Sequence, residues 1–276
     1  MEKSSLMKHK SKNVNYSKAR KTYLKRLRND KIIVKIGQIS LFFIFLGLWE
    51  LFAYTKILDP FFFSSPSRIA VTIVELAKTG NLWIHIWTST YETIIGFLLA
   101  TSIGFLLAVI LWWSERLRKI LEPYLIVLNS LPKIALGPMI IFWVGSGTGA
   151  TIVMCILICV IITTISMLNS FISCDNDKIL LMKSMHAKKY QVFFKLILPN
   201  SLPDFATALK INVGMSWVGT IMGEYLSSKA GLGYLINYGS QILKLDIVMS
   251  SIVILCVLAS GMYFLVSPLE RHYKKN

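Results

Sequence analysis

Six apolar stretches, at about 33–54, 89–113, 123–143, 148–169, 205–226 and 247–267, constrain this chain more than any other feature. Each is close to the roughly 20 residues that a helix needs to cross the hydrocarbon of a bilayer. The third is interrupted by Pro132, Lys133 and Pro138. Six crossings with short connections use up most of 276 residues, so no length remains for a separate catalytic domain. Composition agrees: 54% of residues are hydrophobic and 16% charged, against about 25% charged in an average soluble domain. The expected fold is therefore an all-α integral membrane protein with about six transmembrane helices.

Charge sets the expected orientation. Lys and Arg number 30 against 14 Asp and Glu, and twelve of the thirty lie between Lys3 and Lys35. If the N-terminus is cytoplasmic, 23 fall in the tail, the 114–122 loop, the 170–203 segment and the C-terminus, and 5 in the outer segments 55–88, 144–149 and 227–246. That asymmetry follows the positive-inside rule and makes both ends cytoplasmic. The expected organisation is a basic cytoplasmic tail (1–32), a first transmembrane helix (33–54), an external loop with a short interfacial helix (55–88), a transmembrane core (89–267) that includes the cytoplasmic segment 170–203, and a cytoplasmic C-terminal tail (268–276). The tail is read as a lipid-facing segment that helps set topology rather than a nucleic-acid patch. Its long basic region lacks a small-residue cleavage site, so it is not a signal peptide. The Asn15-Tyr16-Ser17 sequon carries no glycan in a cytoplasmic tail.

Two segments exceed what topology requires. In the external loop, Ser67 is the expected N-cap of a short amphipathic helix running from Arg68 at the outer interface. In 170–203, Asp175 or Asp177 can cap a helix over Lys178–Met185, with Ile179, Met182 and Met185 three apart. A second apolar stretch, Tyr190–Leu198, follows, and Pro199 and Pro203 are expected to end it. On the residues alone, this segment is either an interfacial helix dipping into lipid or a helix–turn–helix that docks into a cytoplasmic partner.

Enzyme chemistry finds no support. Gly145-Ser146-Gly147-Thr148-Gly149-Ala150 lacks the Lys-Ser/Thr of a phosphate loop and reads as a tight turn between spans. The four histidines, His9, His85, His186 and His272, lie apart from any Cys, Asp or Glu at ligand spacing, and the four cysteines read as small core residues. No catalytic, cofactor or metal residue is assigned. Glu50, Lys133, Lys210 and Glu224 fall near span ends, where snorkelling accounts for them, and Glu92 lies about one turn into its span. With the span middles nearly free of ionisable groups, an ion-coupled secondary transporter is the weaker alternative, and a lipid-modifying membrane enzyme weaker still.

Ala187-Lys188-Lys189-Tyr190-Gln191-Val192-Phe193 followed by Leu198-Pro199-Asn200-Ser201-Leu202-Pro203 resembles the cytoplasmic loop of binding-protein-dependent ABC importer permeases. The match is best with the nitrate/sulfonate/taurine branch. Ser65-Pro66-Ser67-Arg68, Gly96-Phe97, Leu131-Pro132, Ala208-Leu209-Lys210-Ile211, Gly223-Glu224 and Gly231-Leu232-Gly233-Tyr234 extend it in order over most of the chain. The family's loop commonly opens with Glu-Ala-Ala and carries Gly where this chain has His186. If that position needs positive φ, His can adopt it. Glu92 stands where relatives often have Arg, which does not favour an anionic solute.

The resemblance implies a type I ABC importer permease fold in the cell membrane. It implies a permease homodimer, two copies of an ATP-binding subunit holding ATP and Mg, and an extracytoplasmic solute-binding protein delivering a nitrate/sulfonate/taurine-like or vitamin-precursor-like solute. The expected ATPase-coupling residues are Met182, Met185, His186, Ala187, Lys188, Lys189 and Tyr190. Asn212, Ser216 and Thr220, spaced by four along the fifth span, either line the path or pair with neighbouring helices. Glu224, Gly231 and Tyr234 are the expected external gate or binding-protein contact.

Overall fold

The computed structural model describes residues 18–57, 59–79 and 81–273, and every one of these that is in regular structure is helical. Most of the basic tail, residues 1–17, lies outside the described residues. The chain divides into a unit 1–60 and a unit 61–276. The described residues of the first unit carry the long helix α1 (Lys18–Tyr54). Its Ile32–Tyr54 portion has a mean hydropathy of 2.0, and no charged residue stands between Lys35 and Glu50.

The second unit is a helical bundle. Its elements are α2 (Pro66–Lys78), α3 (Asn81–Trp113), α4 (Glu115–Ser130), α5 (Gly137–Val144), α6 (Thr148–Ile172), α7 (Asn176–Ser184), α8 (Leu198–Ser227), α9 (Leu232–Gln241) and α10 (Leu245–Tyr273). Helix α6 sits at the centre, with α3 on one side and α8 on the other, while α9 and α10 pack outside α8. The three central helices approach closely because glycine faces Cys155 from both sides. A Cβ on Gly96 of α3 would stand 2.5 Å from Cys155 Sγ, and one on Gly219 of α8 would stand 2.7 Å from Cys155 Cα. Small residues at such crossings let helix backbones meet where the hydrophobic effect gives lipid-embedded helices no drive to associate.

Polar groups hold the same seam together. Asn212 Nδ2 donates to Thr163 Oγ1 at 2.5 Å and to Thr101 Oγ1 at 3.4 Å. Thr93 Oγ1 donates to Thr220 Oγ1 at 3.0 Å, and Thr164 Oγ1 to the Gly104 carbonyl at 3.3 Å. Toward one end the seam gives way to an apolar cluster of Ala108, Leu111, Met167, Phe171, Phe193 and Ile197.

Several boundaries depart from the sequence reading. Helix α3 starts at Asn81 rather than at 89, and 114–122, expected as a loop, is the first half of α4, capped by Ser114 Oγ accepting from Leu117 N–H at 3.3 Å. The 123–143 stretch is not one straight span: α4 and the Lys133–Val144 helical segment meet at 85°. Leu131, forced out of helical geometry by the proline that follows, takes extended backbone (φ −65°, ψ 138°). Pro199 and Pro203 do not stop the helix. A five-residue π turn, Phe193–Ile197, runs straight into α8, and its wider turn, with Leu198 N–H donating to the Phe193 carbonyl, directly precedes Pro199, which has no N–H to donate. Among the described residues, four helices are long and apolar enough to cross a membrane, or five if the bent pair is one span. The 205–226 stretch is α8, thirty residues long and carrying Asp204, Lys210 and Glu224.

The helix expected after Ser67 exists, but its N-cap is Ser65, whose Oγ accepts from Arg68 N–H at 3.4 Å. Pro66 explains the shift, since proline is favoured at the first helical position and sets the cap one residue earlier. Of the cysteines, Cys155, Cys159 and Cys174 are buried and Cys256 is exposed.

Candidate functional site: an apolar knob at one end and a latch at the other

The segment that links α6 to α8 forms a hook at one end of the bundle. Asp175, one of the two expected caps, starts α7 by accepting from Asp177 N–H at 2.9 Å. The helix ends in a Schellman motif: Ala187 N–H donates to the Met182 carbonyl at 3.0 Å and His186 N–H to the Lys183 carbonyl at 2.9 Å. The residue between, His186, has φ 55°, the left-handed conformation that this turn requires. Met182 and Ala187 close the turn from below and pack, with Ile179, on the Phe171–Phe193 cluster. Burial pushes the neighbouring Cys174 thiol up, with Lys178 opposing.

This geometry divides the expected coupling residues. Met182 and Ala187 face the bundle, whereas Met185 projects outward at 72% exposure. Leu180 and Leu181, which sequence reasoning passed over, project beside it at 63% each. The signal was present as an Ile-Leu-Leu-Met run, apolar on every side of a short helix. Tyr190 and Phe194 continue the exposed surface, and Lys188 is exposed beside them. Lys189 turns the other way: its Nζ donates to the Trp113 carbonyl at 2.5 Å and lies 5.3 Å from the Trp112 ring. Phe193 packs tilted against Trp112 and edge-to-face against Phe171, with ring centroids at 4.9 and 5.4 Å. The knob is thus bolted to the ends of α3 and α6.

At the opposite end of α3, a second constellation fastens the start of α9. Three successive backbone amides reach three side chains on other helices. Gly231 N–H donates to His85 Nδ1 at 2.9 Å, Leu232 N–H to Ser89 Oγ at 2.7 Å, and Gly233 N–H to Glu224 Oε2 at 2.7 Å. A helix N-terminus leaves such donors unsatisfied, and here α3 and α8 supply the acceptors. Gly231 has φ 112°, and any Cβ there would strike the Glu224 carboxyl. Tyr234 stacks on His85 at 5.7 Å and on Tyr238 at 6.1 Å. The structure therefore brings Glu224, Gly231 and Tyr234 together. Glu224 is 1% exposed and does not snorkel; it is held inward by the amide it caps. Nearby, Asp246 accepts from Arg68 at 2.5 Å and from Ser64 at 2.6 Å, clasping α2 to α10 beside a cleft of about 460 Å³.

Asn212, Ser216 and Thr220 share one face, as their spacing predicts, and that face is turned into the bundle: all three are fully buried. The same helix presents Ile211, Met215 and Val218 on its uncovered side. Lys210, expected to snorkel, pairs with Glu270 and lies 5.2 Å from the Tyr263 ring, joining α8 to α10.

Comparison with known proteins fits this architecture. Residues 100–275 match the family described as binding-protein-dependent transport system inner membrane component. The formylaminopyrimidine transport permease protein ThiX of Halalkalibacterium halodurans is 30% identical over 71% of this chain and 78% of its own length. The taurine transport system permease protein TauC of Escherichia coli is 24% identical over 83% and 84%. Among solved structures, a bacterial alginate ABC transporter in complex with a pentasaccharide-bound periplasmic protein contains a chain of the same fold, with TM-score 0.64 at 16% identity, covering 94% of this chain and 97% of that one. With the family matched across the bundle and the hook, the chain belongs to the binding-protein-dependent transport system inner membrane components, the multi-pass permeases of ABC importers.

Proposed function

We propose that two copies of this chain form the path of a cell-membrane importer, with two ATP-binding subunits on the cytoplasmic side and a solute-binding protein outside. The division of Lys and Arg puts both chain ends, and hence the knob, in the cytoplasm, and the latch outside. The observation that carries the reading is the knob. Leu180, Leu181 and Met185 project into water while Met182, Ala187 and Phe193 are locked below them. A contiguous exposed apolar surface on a rigid base marks a protein partner. In this scheme the chain is not catalytic, and ATP and Mg are bound by the partner.

Closure of the paired ATPases draws the two knobs together, and the rigid connection through Phe193 and Ile197 transmits that motion to α6 and α8. Solute passes along the uncovered face of α8, through Ile211, Met215 and Val218, while the Asn212–Thr220 seam keeps the helices in register. The solutes named for ThiX and TauC are small and polar, so the class proposed here is a small sulfonate-like or vitamin-precursor-like compound.

The test is purification of the tagged chain from membranes in mild detergent, with identification and stoichiometry of what accompanies it. An ATP-binding subunit in equal copy number is expected. A chain that purifies alone and supports uptake on an ion gradient overturns the reading.

A further inference from the structure

Two carboxyl groups meet behind the latch, where no cation among the described residues pairs with either. Glu92 of α3 is fully buried and Glu224 of α8 is 1% exposed. The helices that carry them meet at this level, where Thr93 Oγ1, one residue after Glu92, donates to Thr220 Oγ1, one turn before Glu224, at 3.0 Å, and the two carboxyl side chains adjoin. Glu224 Oε2 accepts from Gly233 N–H at 2.7 Å, but Glu224 Oε1 and both oxygens of Glu92 accept from no donor.

The surrounding elements offer only neutral groups. Helix α3 presents Ser89, α6 presents Thr148 and Thr151, the latter donating its hydroxyl to the Gly147 carbonyl at 3.4 Å, and the connection into α9 presents the backbone of Gly231 and Gly233. The titratable neighbour is His85, whose Nδ1 accepts from Gly231 N–H at 2.9 Å and whose ring carries Tyr234. An accepting Nδ1 belongs to a neutral imidazole, so His85 brings no positive charge. Lys229, on the same connection, is exposed. Two ionised carboxylates side by side, both stripped of water, repel each other. One proton between them converts an acceptor into a donor and gives an orphaned oxygen a partner.

We propose that Glu92 and Glu224 form a proton-binding site, and that the proton they share fastens the start of α9 to the bundle. Glu224 grips the Gly233 amide while Glu92 holds Glu224 in place. Loss of the proton drives the carboxylates apart, and Glu224 can leave only by pulling away from Gly233 and pressing on the Gly231 backbone packed against it. The latched state holds one proton more than the released state. Raising the pH therefore favours release, by about tenfold per pH unit for a one-proton step. The inference does not depend on the importer reading, because the site is internal to one chain.

The experiment uses the full chain in lipid nanodiscs, with two readouts that need neither ATPase nor uptake. Infrared difference spectroscopy is expected to show a protonated-carboxyl C=O band at neutral pH that disappears at alkaline pH and is missing in both Glu92→Gln and Glu224→Gln. Hydrogen exchange, corrected for intrinsic rates, is expected to show protection of amides 231–235 falling by about tenfold per pH unit. In Glu92→Gln, whose amide donates to Glu224 without titrating, protection should hold across the range. Glu92→Arg supplies a fixed cation instead and should give the same flat profile, so the result survives failure of either variant to fold. The proposal is overturned if the band is absent, if it persists in both glutamine variants, or if adding sodium displaces it, which would assign the pair to a metal cation.

Discussion

Two backbone positions decide whether the two working ends can form. His186 holds φ 55° at the turn of the knob, a conformation that costs an L-residue with a Cβ about 1–2 kcal/mol. His186→Gly should therefore raise stability by about 1 kcal/mol and leave partner binding intact, whereas His186→Val should weaken ATPase co-purification from the same membranes. At the other end Gly231 combines φ 112° with the Glu224 carboxyl against it. Gly231→Val is expected to insert into the membrane normally yet abolish uptake, and wild-type uptake by that variant would remove Gly231 from the gate. The residue scale also shows what a carboxylate near a span end can conceal. Snorkelling was the economical sequence explanation for Glu224, and only the return of the 228–233 connection over α8 reveals an amide waiting for it.

At the level of elements, the hook between α6 and α8 separates anchoring from display. Ile179, Met182 and Ala187 hold it to the bundle, and Leu180, Leu181 and Met185 remain outside. Burial of one methionine in a partner contributes about 1.5–3 kcal/mol, so Met185→Asp should reduce ATPase recovery by roughly tenfold or more while the permease is still inserted. Met182→Asp should behave differently and lower the yield of folded permease, because its site is inside the protomer. Lys189, read from sequence as one of the docking residues, ties the hook to Trp112 and Trp113. Lys189→Gln is expected to loosen α7 in hydrogen exchange before it affects partner affinity. The knob was legible from the pattern of apolar residues and the capping Asp. Which of its apolar side chains faces outward was not, since a nine-residue helix with Ile, Leu, Leu and Met in a row has no single apolar face.

For the molecule as a whole, the middle of α6 is clamped between α3 and α8 by glycines and hydroxyls, and its end is held by the apolar cluster around Met167 and Phe171. Gly219→Leu is expected to drive α8 off Cys155, because even a Cβ at this position would stand 2.7 Å from the Cys155 Cα. Overpacking of this kind typically costs about 1–3 kcal/mol, measurable as a lower melting temperature of the detergent-solubilised chain. The apolar stretches and the all-helical, multi-pass character were readable from sequence because lipid demands both an apolar surface and a satisfied backbone, and both requirements are local. The start of the hook was readable for a similar reason, since Asp175 caps a helix through its neighbours in the chain, whereas the left-handed turn at His186 was suggested only by the family resemblance. What faces what was decided only by tertiary packing. Asn212, Ser216 and Thr220 form one row whether they meet water or another helix, and it is the presence of Thr101, Thr163 and Thr93 on adjoining helices that makes the row a seam. Glu92 and Glu224 are 132 positions apart, and nothing local to either announces that they share one buried site. Periodicity records what each residue prefers as a neighbour, but only the folded bundle supplies that neighbour.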